Sequence, residues 1–113
     1  MKNIKISIQS QFRASHYHRG SLSEPLHDHT FKYIITLKGP LNEEGFLVDF
    51  REVENYLYEL NKNLSMKVLN QIIPLSTTEA VAVFLFDKIK EKFPQICKIQ
   101  IFEKENCSVT YEG

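Results

Sequence analysis

The sequence lacks several features that would assign it to a large class of proteins. Its two cysteines, Cys97 and Cys107, are too few for a disulfide framework. Its longest apolar run, residues 80–86, is much shorter than the ~20 residues of a membrane-spanning helix, and the first ten residues contain no apolar signal-peptide core. We therefore expect a cytoplasmic protein with no membrane partner.

An excess of charge of one sign is also missing. Fourteen basic residues balance fourteen acidic residues, so the chain has no net positive charge of the kind that favours nucleic-acid binding. The hydrophobic fraction of 42% and the charged fraction of 25% are typical of globular domains. Because there is no repeat, low-complexity stretch or Gly/Ser linker, we predict a single domain over residues 1–113.

Histidine is absent from most of the chain, and its distribution is informative. The four histidines are His16, His18, His27 and His29, and none follows the last of them. A cluster of this kind is typical of a metal-binding or acid–base site.

The two segments that carry these histidines have the alternation of half-buried strands. In the first segment most apolar residues fall on even positions, a parity that His16 and His18 continue. In the second, about residues 27–38, they fall on odd positions, a parity shared by His27 and His29. We predict an antiparallel hairpin with a connection of about eight residues and with the four histidines near its loop end.

Two capping boxes, Asp49 with Glu52 and Ser76 with Glu79, predict where two helices begin. The apolar stripe predicted for the first helix consists of Phe50, Val53, Leu57, Leu60 and Leu64. The second helix is predicted to run from Thr77 to about residue 92. A long loop, roughly residues 65–75, separates the two helices and is of a length that is often functional.

Two further alternating segments, with a turn near residues 105–106, complete the chain. The element order β-β-α-α-β-β predicts an α+β fold in which a four-stranded antiparallel sheet packs against two helices. The open edges of such a sheet favour pairing with another copy of the chain.

The histidine pairs predict a metal site. Neutral imidazole suits zinc, and three protein ligands leave a fourth position for water or substrate. His27 and His29 are two residues apart on a strand and point the same way, and His16 or His18 could reach them across the hairpin. The alternative is a histidine-rich surface hairpin without a functional metal.

Three further features could serve a ligand. Glu103 follows Ile99 and Ile101 at every second position, so its side chain is predicted to face inward. There it could accept two parallel N–H bonds from a ligand, or it could lie at the solvent rim. Glu24 lies in the loop above the proposed metal and could act as a general acid or base, or be a solvated carboxylate. Thr77 and Thr78 begin a helix whose free N–H groups suit an electron-rich ligand edge, with simple capping as the alternative.

Five stretches then combine into a specific pattern. They are FRASH at 12–16, LHDHTF at 26–31, EGFLVDF at 44–50, STTEAVA at 76–82 and KIQIFEKENCSVTYEG at 98–113. In this order and spacing they resemble the 6-pyruvoyl-tetrahydropterin synthase family, which includes 6-carboxytetrahydropterin synthase. The resemblance covers nearly the whole chain.

The resemblance implies the tunnelling fold, in which three copies close a β-barrel and two trimers stack into a hexamer. It also implies that His16, His27 and His29 bind zinc. Glu103 is then expected to anchor the amino-pyrimidinone edge of a pterin, helped by the Thr77–Thr78 region.

The site departs from the family pattern in its proton-transfer groups. The family's catalytic cysteine has no counterpart here, Ser21 and Ser23 being the nearest candidates, and its Asp-His pair is missing from Ser65–Asn70. One subgroup instead uses a glutamate spaced E-x-x-H-x-H to convert dihydroneopterin triphosphate to a 6-hydroxymethyl pterin, and Glu24 fits that spacing. The proton-transfer groups are then reduced to Glu24, with His18, to which the resemblance assigns no role, as an outside candidate.

The sequence leaves three functional hypotheses. In the first, a zinc-dependent pterin enzyme acts on dihydroneopterin triphosphate or a related pterin, with Glu24 moving a proton and Glu103 holding the ring. In the second, a non-enzymatic relative binds zinc and pterin but has lost turnover together with the Cys-Asp-His set. In the third, the chain is an oligomeric β-scaffold that binds metal incidentally. The first two predict a small-molecule pterin partner, and all three predict a homo-oligomer.

Overall fold

A computed structural model of the chain describes residues 3–20 and 22–113. The described residues form, in chain order, β1 Asn3–His18, β2 Glu24–Pro40, α1 Phe50–Leu64, α2 Thr78–Lys92, β3 Ile96–Lys104 and β4 Cys107–Tyr111. A short 3-10 helix, Leu69–Gln71, lies between α1 and α2. The strands form one antiparallel sheet in the order β1-β2-β3-β4, which confirms the predicted α+β fold.

The long β1–β2 hairpin sets the position of the histidines. His16 lies opposite His27 and, beyond an irregularity in β1, His18 lies opposite Glu24. Because this last pair belongs to the ladder, β2 begins earlier than predicted and the connection, residues 19–23, is shorter than predicted.

The core lies between one face of the sheet and the two helices. α1 packs against β1, and α2 packs against β3 and β4. The large side chains that are fully buried include Phe31, Tyr33, Ile35, Leu37, Leu57, Leu64, Leu85, Ile89, Ile99 and Ile101. Those on β2 and β3 confirm the parities predicted for these two strands. Phe50 was wrongly included in the apolar stripe of α1, because it is 53% exposed at the first turn.

The two helices begin with side-chain caps, one of them shifted from its predicted position. Asp49 caps α1 as predicted, its side chain accepting a backbone N–H of the first turn. The cap of α2 is Thr77, which accepts from the backbone N of Ala80 at 3.1 Å, and not Ser76. Ser76 is buried, and its hydroxyl donates instead to Asn70 at 2.8 Å. None of the helices that the structure describes has the length and apolar character of a membrane-spanning segment.

The segment between the helices is more ordered than the predicted loop. The backbone N–H of Met66 donates to the carbonyl of Arg13 at 2.7 Å, and the N–H of Ser15 donates to the carbonyl of Lys67 at 2.9 Å. The segment therefore runs along part of the free edge of β1 and continues into the 3-10 helix, close to the end of the hairpin that carries the histidines.

Candidate metal centre and adjoining cavity

Three histidine rings meet near the loop end of the hairpin, on the face of the sheet that carries the core. The ring centroid of His27 lies 4.6 Å from those of both His16 and His29. His16 continues the buried parity of Ala14 and is itself fully buried, whereas the other two rings are half-buried. The alternation of the two strands thus brings together the three side chains proposed as metal ligands.

Glu103 on β3 joins this cluster. Its Oε1 lies 3.4 Å from Nε2 of His16 and 3.6 Å from Nε2 of His29. With His27, one potential ligand atom from each of the four side chains lies within 4.8 Å of the others. Ligand atoms around a tetrahedral ion with bonds of about 2.0–2.1 Å are separated by roughly 3.3 Å, so these four groups could hold a metal ion.

The hydrogen bonds of two rings leave Nε2 free for a metal. Nδ1 of His16 lies 2.7 Å from the carbonyl of Ser76, and Nδ1 of His27 lies 2.7 Å from the carbonyl of Pro25. A carbonyl oxygen only accepts, so each Nδ1 carries the proton and each neutral ring has a lone pair on Nε2. This second contact of each ring is typical of metal-binding histidines.

The Nε2 atom of His16 is the sharpest indication that the donor set fits a metal. It is buried and has no hydrogen-bond partner within the described part of the chain. A buried polar atom without a partner costs free energy, and a metal ion would satisfy this one. Three imidazoles and a carboxylate are ligand types that zinc accepts, so the residues present fit the ion that the family resemblance implies.

The protonation of His16 is compatible with metal binding. Burial lowers the pKa of the His16 imidazole below its ordinary value. The hydrogen bond to the Ser76 carbonyl raises this pKa, but by less than burial lowers it. Nearby His27 lowers the pKa further. The neutral imidazole, which is the form that binds metal ions, is therefore favoured at this buried position.

A cavity of about 610 Å³ lies beside the cluster. Its lining includes Glu24, Thr77, Thr78 and Glu103, the four residues predicted for proton transfer and pterin binding. Glu103 belongs both to this lining and to the cluster of potential metal ligands. The volume is in the range of small-molecule sites, so the predicted groups surround one space of suitable size.

The lining residues differ in what they can offer a ligand. Glu24 is half exposed, and its Oε1 lies 3.6 Å from Nε2 of His18, which lines the same cavity and is not a member of the four-residue cluster. The hydroxyl oxygen of Thr77 accepts the capping N–H of α2, which leaves its proton and one lone pair for a ligand. Thr78 is buried at the start of α2.

Sequence reasoning missed several residues of the cavity. Tyr17, Arg19 and Asn70 also line it, together with Glu79, which the sequence had indicated as part of the second capping box. Tyr17 and Arg19 adjoin the histidines in the sequence, which was the only signal for them. Asn70 is the last residue of Ser65–Asn70, the stretch that lacks the family's Asp-His pair. Nothing else in the sequence indicated a role for it.

Three described residues near the predicted site, Ser23, Met66 and Asp28, are not members of the four-residue cluster. Ser23 is exposed in the hairpin connection, and Ser21 lies outside the described residues. Met66, in the segment without the Asp-His pair, is 82% exposed. Asp28, between the two histidines of β2, is paired with Arg13 at the solvent-exposed surface.

Comparison with known proteins identifies relatives over nearly the whole chain. The family model described as 6-pyruvoyl tetrahydropterin synthase matches residues 5–113. The human 6-pyruvoyl tetrahydrobiopterin synthase is 29% identical over 96 residues, which are 77% of this chain and 66%, just under two thirds, of the human protein. A dihydroneopterin monophosphate aldolase from Pyrococcus furiosus is 27% identical over 96 residues, covering 85% of this chain and 83% of the aldolase.

Solved structures share the fold. The 6-pyruvoyl tetrahydropterin synthase of Caenorhabditis elegans superposes with a TM-score of 0.87 at 20% identity, covering 100% of this chain and 97% of that one. A Plasmodium vivax 6-pyruvoyltetrahydropterin synthase, solved as a variant in which a catalytic glutamate is replaced by alanine, has a TM-score of 0.81 at 13% identity and covers 98% of both chains. The family match and the shared architecture together show that this chain belongs to the 6-pyruvoyl tetrahydropterin synthase family.

Proposed function

We propose that the chain is a zinc-dependent pterin enzyme that acts on dihydroneopterin triphosphate or a related pterin by glutamate-type lyase chemistry. The observation that carries the proposal is that Glu24 and Glu103 line the same cavity beside the histidine cluster. A proton-transfer group, a ring-binding carboxylate and a set of metal ligands would then serve one small-molecule site. The aldolase among the relatives and the catalytic glutamate of the Plasmodium vivax protein support this chemistry.

Each group of this chain has a distinct proposed task. His16, His27 and His29 would hold zinc, which supplies a Lewis acid for an oxygen of the pterin side chain when it is bound. Glu24 would accept a proton from the substrate side chain and return it later in the reaction. Glu103 would accept two parallel N–H bonds from the pterin ring and so fix its orientation.

Thr77 and Thr78 would assist Glu103 in holding the ring. They line the cavity at the start of α2, where backbone N–H groups and the helix dipole favour an electron-rich ligand edge. The Thr77 hydroxyl uses one lone pair as a cap, and its proposed contribution is donation of its proton to the ligand.

The direct test is incubation of the purified, zinc-loaded protein with dihydroneopterin triphosphate, with products identified by mass. A 6-hydroxymethyl pterin would support lyase chemistry of the glutamate type. The absence of any product despite zinc loading and tight pterin binding would contradict the enzymatic proposal and favour the alternative described next.

The alternative is a non-enzymatic relative that retains zinc and pterin binding. It is favoured by the segment Ser65–Asn70, which has neither residue of the Asp-His pair and exposes Met66 to solvent. General acid–base groups typically contribute about 10²- to 10⁴-fold each, so the loss of a pair could abolish useful turnover. Pterin titration distinguishes both proposals from a metal-binding scaffold, because only the scaffold would bind no pterin.

The Glu103→Gln variant tests the proposed pterin anchor. Glutamine keeps the size of the side chain but presents an amide N–H to the N–H groups of the ring, so we expect the affinity for neopterin or biopterin to fall about tenfold or more. The measurement is a fluorescence or calorimetric titration of the zinc-loaded variant. Glu105→Gln, at the exposed turn after β3, is a matched control that should bind pterin like the wild type.

Zinc content distinguishes the two tasks that the position of Glu103 allows. If Glu103 anchors the pterin and the histidines hold the metal, Glu103→Gln should retain zinc at the wild-type level. Unchanged pterin affinity would remove Glu103 from ring binding, and loss of zinc from the variant would assign its carboxylate to the metal instead.

We further propose that the chain functions as a homohexamer, or at least a trimer. β1 and β4 are the edge strands of the sheet, and the segment after α1 covers only a short part of the free edge of β1. Unpaired strand edges favour association with another copy of the chain. We expect light scattering or sedimentation at micromolar concentration to give the mass of three or six chains, and a monomer would contradict this proposal.

A further inference from the structure

The side chain of Asn70 ties the end of β1 to the start of α2. Its Oδ1 accepts from the backbone N of Tyr17 at 3.0 Å and from the hydroxyl of Ser76 at 2.8 Å. Its Nδ2 donates to the carbonyls of Tyr17 at 3.0 Å and Pro74 at 3.3 Å. A carboxamide has two donor hydrogens and one acceptor oxygen with two lone pairs, so this side chain uses its full hydrogen-bonding capacity here.

Tyr17 needs such a partner because of its place in the strand. It lies at the irregularity between His16 and His18, where the pairing register of β1 with β2 shifts. β1 is an edge strand, and Ser15, two residues before Tyr17, directs its N–H away from β2 to the carbonyl of Lys67. By the alternation of a strand the backbone groups of Tyr17 point to the same free edge, so they must be satisfied outside the β1–β2 ladder. Asn70 bonds to both groups and takes the place of a neighbouring strand.

The hydrogen bonds of Asn70 to Tyr17 and to Ser76 both affect the position of His16. Tyr17 is the next residue of the backbone, so its two bonds to Asn70 hold the segment from which the His16 side chain projects. Ser76 provides the carbonyl that accepts from Nδ1 of His16 at 2.7 Å, and its hydroxyl is bonded to Asn70. Asn70 thus holds the backbone to which the His16 ring is attached. It also holds Ser76, whose carbonyl is the only hydrogen-bond acceptor of that ring among the described residues.

We propose that Asn70 is the positioning residue of the metal centre. By holding Tyr17 and Ser76 it keeps the proton of His16 on Nδ1 and directs the buried, unpartnered Nε2 atom at the cluster formed with His27, His29 and Glu103. The inference rests on the metal-binding part of the proposed function, and it assigns a task to a segment from which the proton-transfer pair is missing. Groups that orient metal-binding histidines typically change metal affinity by about 10- to 100-fold when they are removed.

The test compares Asn70→Asp and Asn70→Ala with a matched asparagine elsewhere. Asn61 also connects a helix to the sheet, accepting from Tyr33 at 2.7 Å and donating to Ser10 at 2.7 Å, and it is not part of the cluster or the cavity. Its alanine variant therefore reproduces the loss of a bridging amide and of some stability without disturbing His16.

Two readouts separate positioning from general stability. Zinc affinity is measured by competition with a chelator, and the coordination is followed by the visible absorption of the Co²⁺-substituted protein. We expect both Asn70 variants to bind zinc about 10- to 100-fold more weakly and to alter the Co²⁺ spectrum, with Asn61→Ala unchanged in both respects. Wild-type affinity and spectrum in the Asn70 variants, or an equal loss in Asn61→Ala, would overturn the inference.

Ser76→Ala keeps the test decisive if the Asn70 variants do not fold. It removes a single bond to Asn70 and leaves the carbonyl that accepts from His16 in place. We expect a smaller loss of zinc affinity than in the Asn70 variants, but a loss larger than in Asn61→Ala, and the absence of any loss would overturn the inference. A wild-type protein that binds no zinc would refute the proposed metal centre as well, so the two failures can be distinguished.

Discussion

The Glu24→Gln variant is expected to lower kcat by about 100-fold or more while zinc and pterin binding are retained. Glutamine has nearly the size of glutamate but does not accept a proton near neutral pH. The expected loss is therefore confined to the chemical step, and it is measured by product formation under saturating substrate with the zinc-loaded protein.

The expectation depends on the scarcity of other proton-transfer groups at this site. Ser65 and Met66 cannot accept a proton near neutral pH, and a serine such as Ser23 is a poor acid without an activating base. Glu24 lines the cavity with Glu103, whose proposed task is ring binding. Glu24 is thus the carboxylate proposed as general acid or base, with His18, 3.6 Å from it, as the outside candidate in the same lining.

An exposed glutamate provides the control for this substitution. Glu43→Gln makes the same chemical change in the loop before α1, outside the cavity lining, and should turn over at the wild-type rate. Equal rates for the wild type and Glu24→Gln would remove Glu24 from the mechanism.

The His27→Ala variant is expected to lose nearly all zinc. His27 is one of three imidazoles whose potential ligand atoms meet, and alanine leaves one imidazole on each strand of the hairpin, His16 on β1 and His29 on β2. Changes in groups that only orient a ligand already cost about 10- to 100-fold in affinity, so removal of a ligand should cost about 1000-fold or more. Metal analysis after dialysis and a chelator competition measure the loss.

His18→Ala is the matched control for the metal centre. His18 belongs to the same hairpin and was an alternative third ligand from the sequence, but it is not a member of the described cluster. The variant should keep zinc at the wild-type level. Full retention of zinc by His27→Ala, or a loss in His18→Ala as large as in His27→Ala, would contradict the proposed ligand set.

The sequence by itself determined the elements and the parity of the histidines. Side chains on a strand alternate between two faces, so the positions of His16, His27 and His29 relative to their apolar neighbours predicted which side of the sheet they share. The start of α1 was also predictable from the sequence, because the capping bond of Asp49 is made within a single turn. These are properties of the local chain geometry.

Tertiary structure decided which distant groups join the histidines. Glu103 approaches His16 and His29 because β3 pairs with β2 in a particular register, with Lys32 opposite Phe102. The strand order and the register depend on the packing of the whole core, which alternation within one strand does not specify.

The hydrogen bonds of Asn70 that position His16 also depend on tertiary structure. Ser76 and Glu79 have the spacing of a capping box, yet the hydroxyl of Ser76 bonds to Asn70 and the cap moves to Thr77. Asn70 in turn bonds to Tyr17, a partner 53 positions away in the chain. Local spacing predicts which groups are able to cap or to bind, but competition among partners brought close by folding determines which bonds are made.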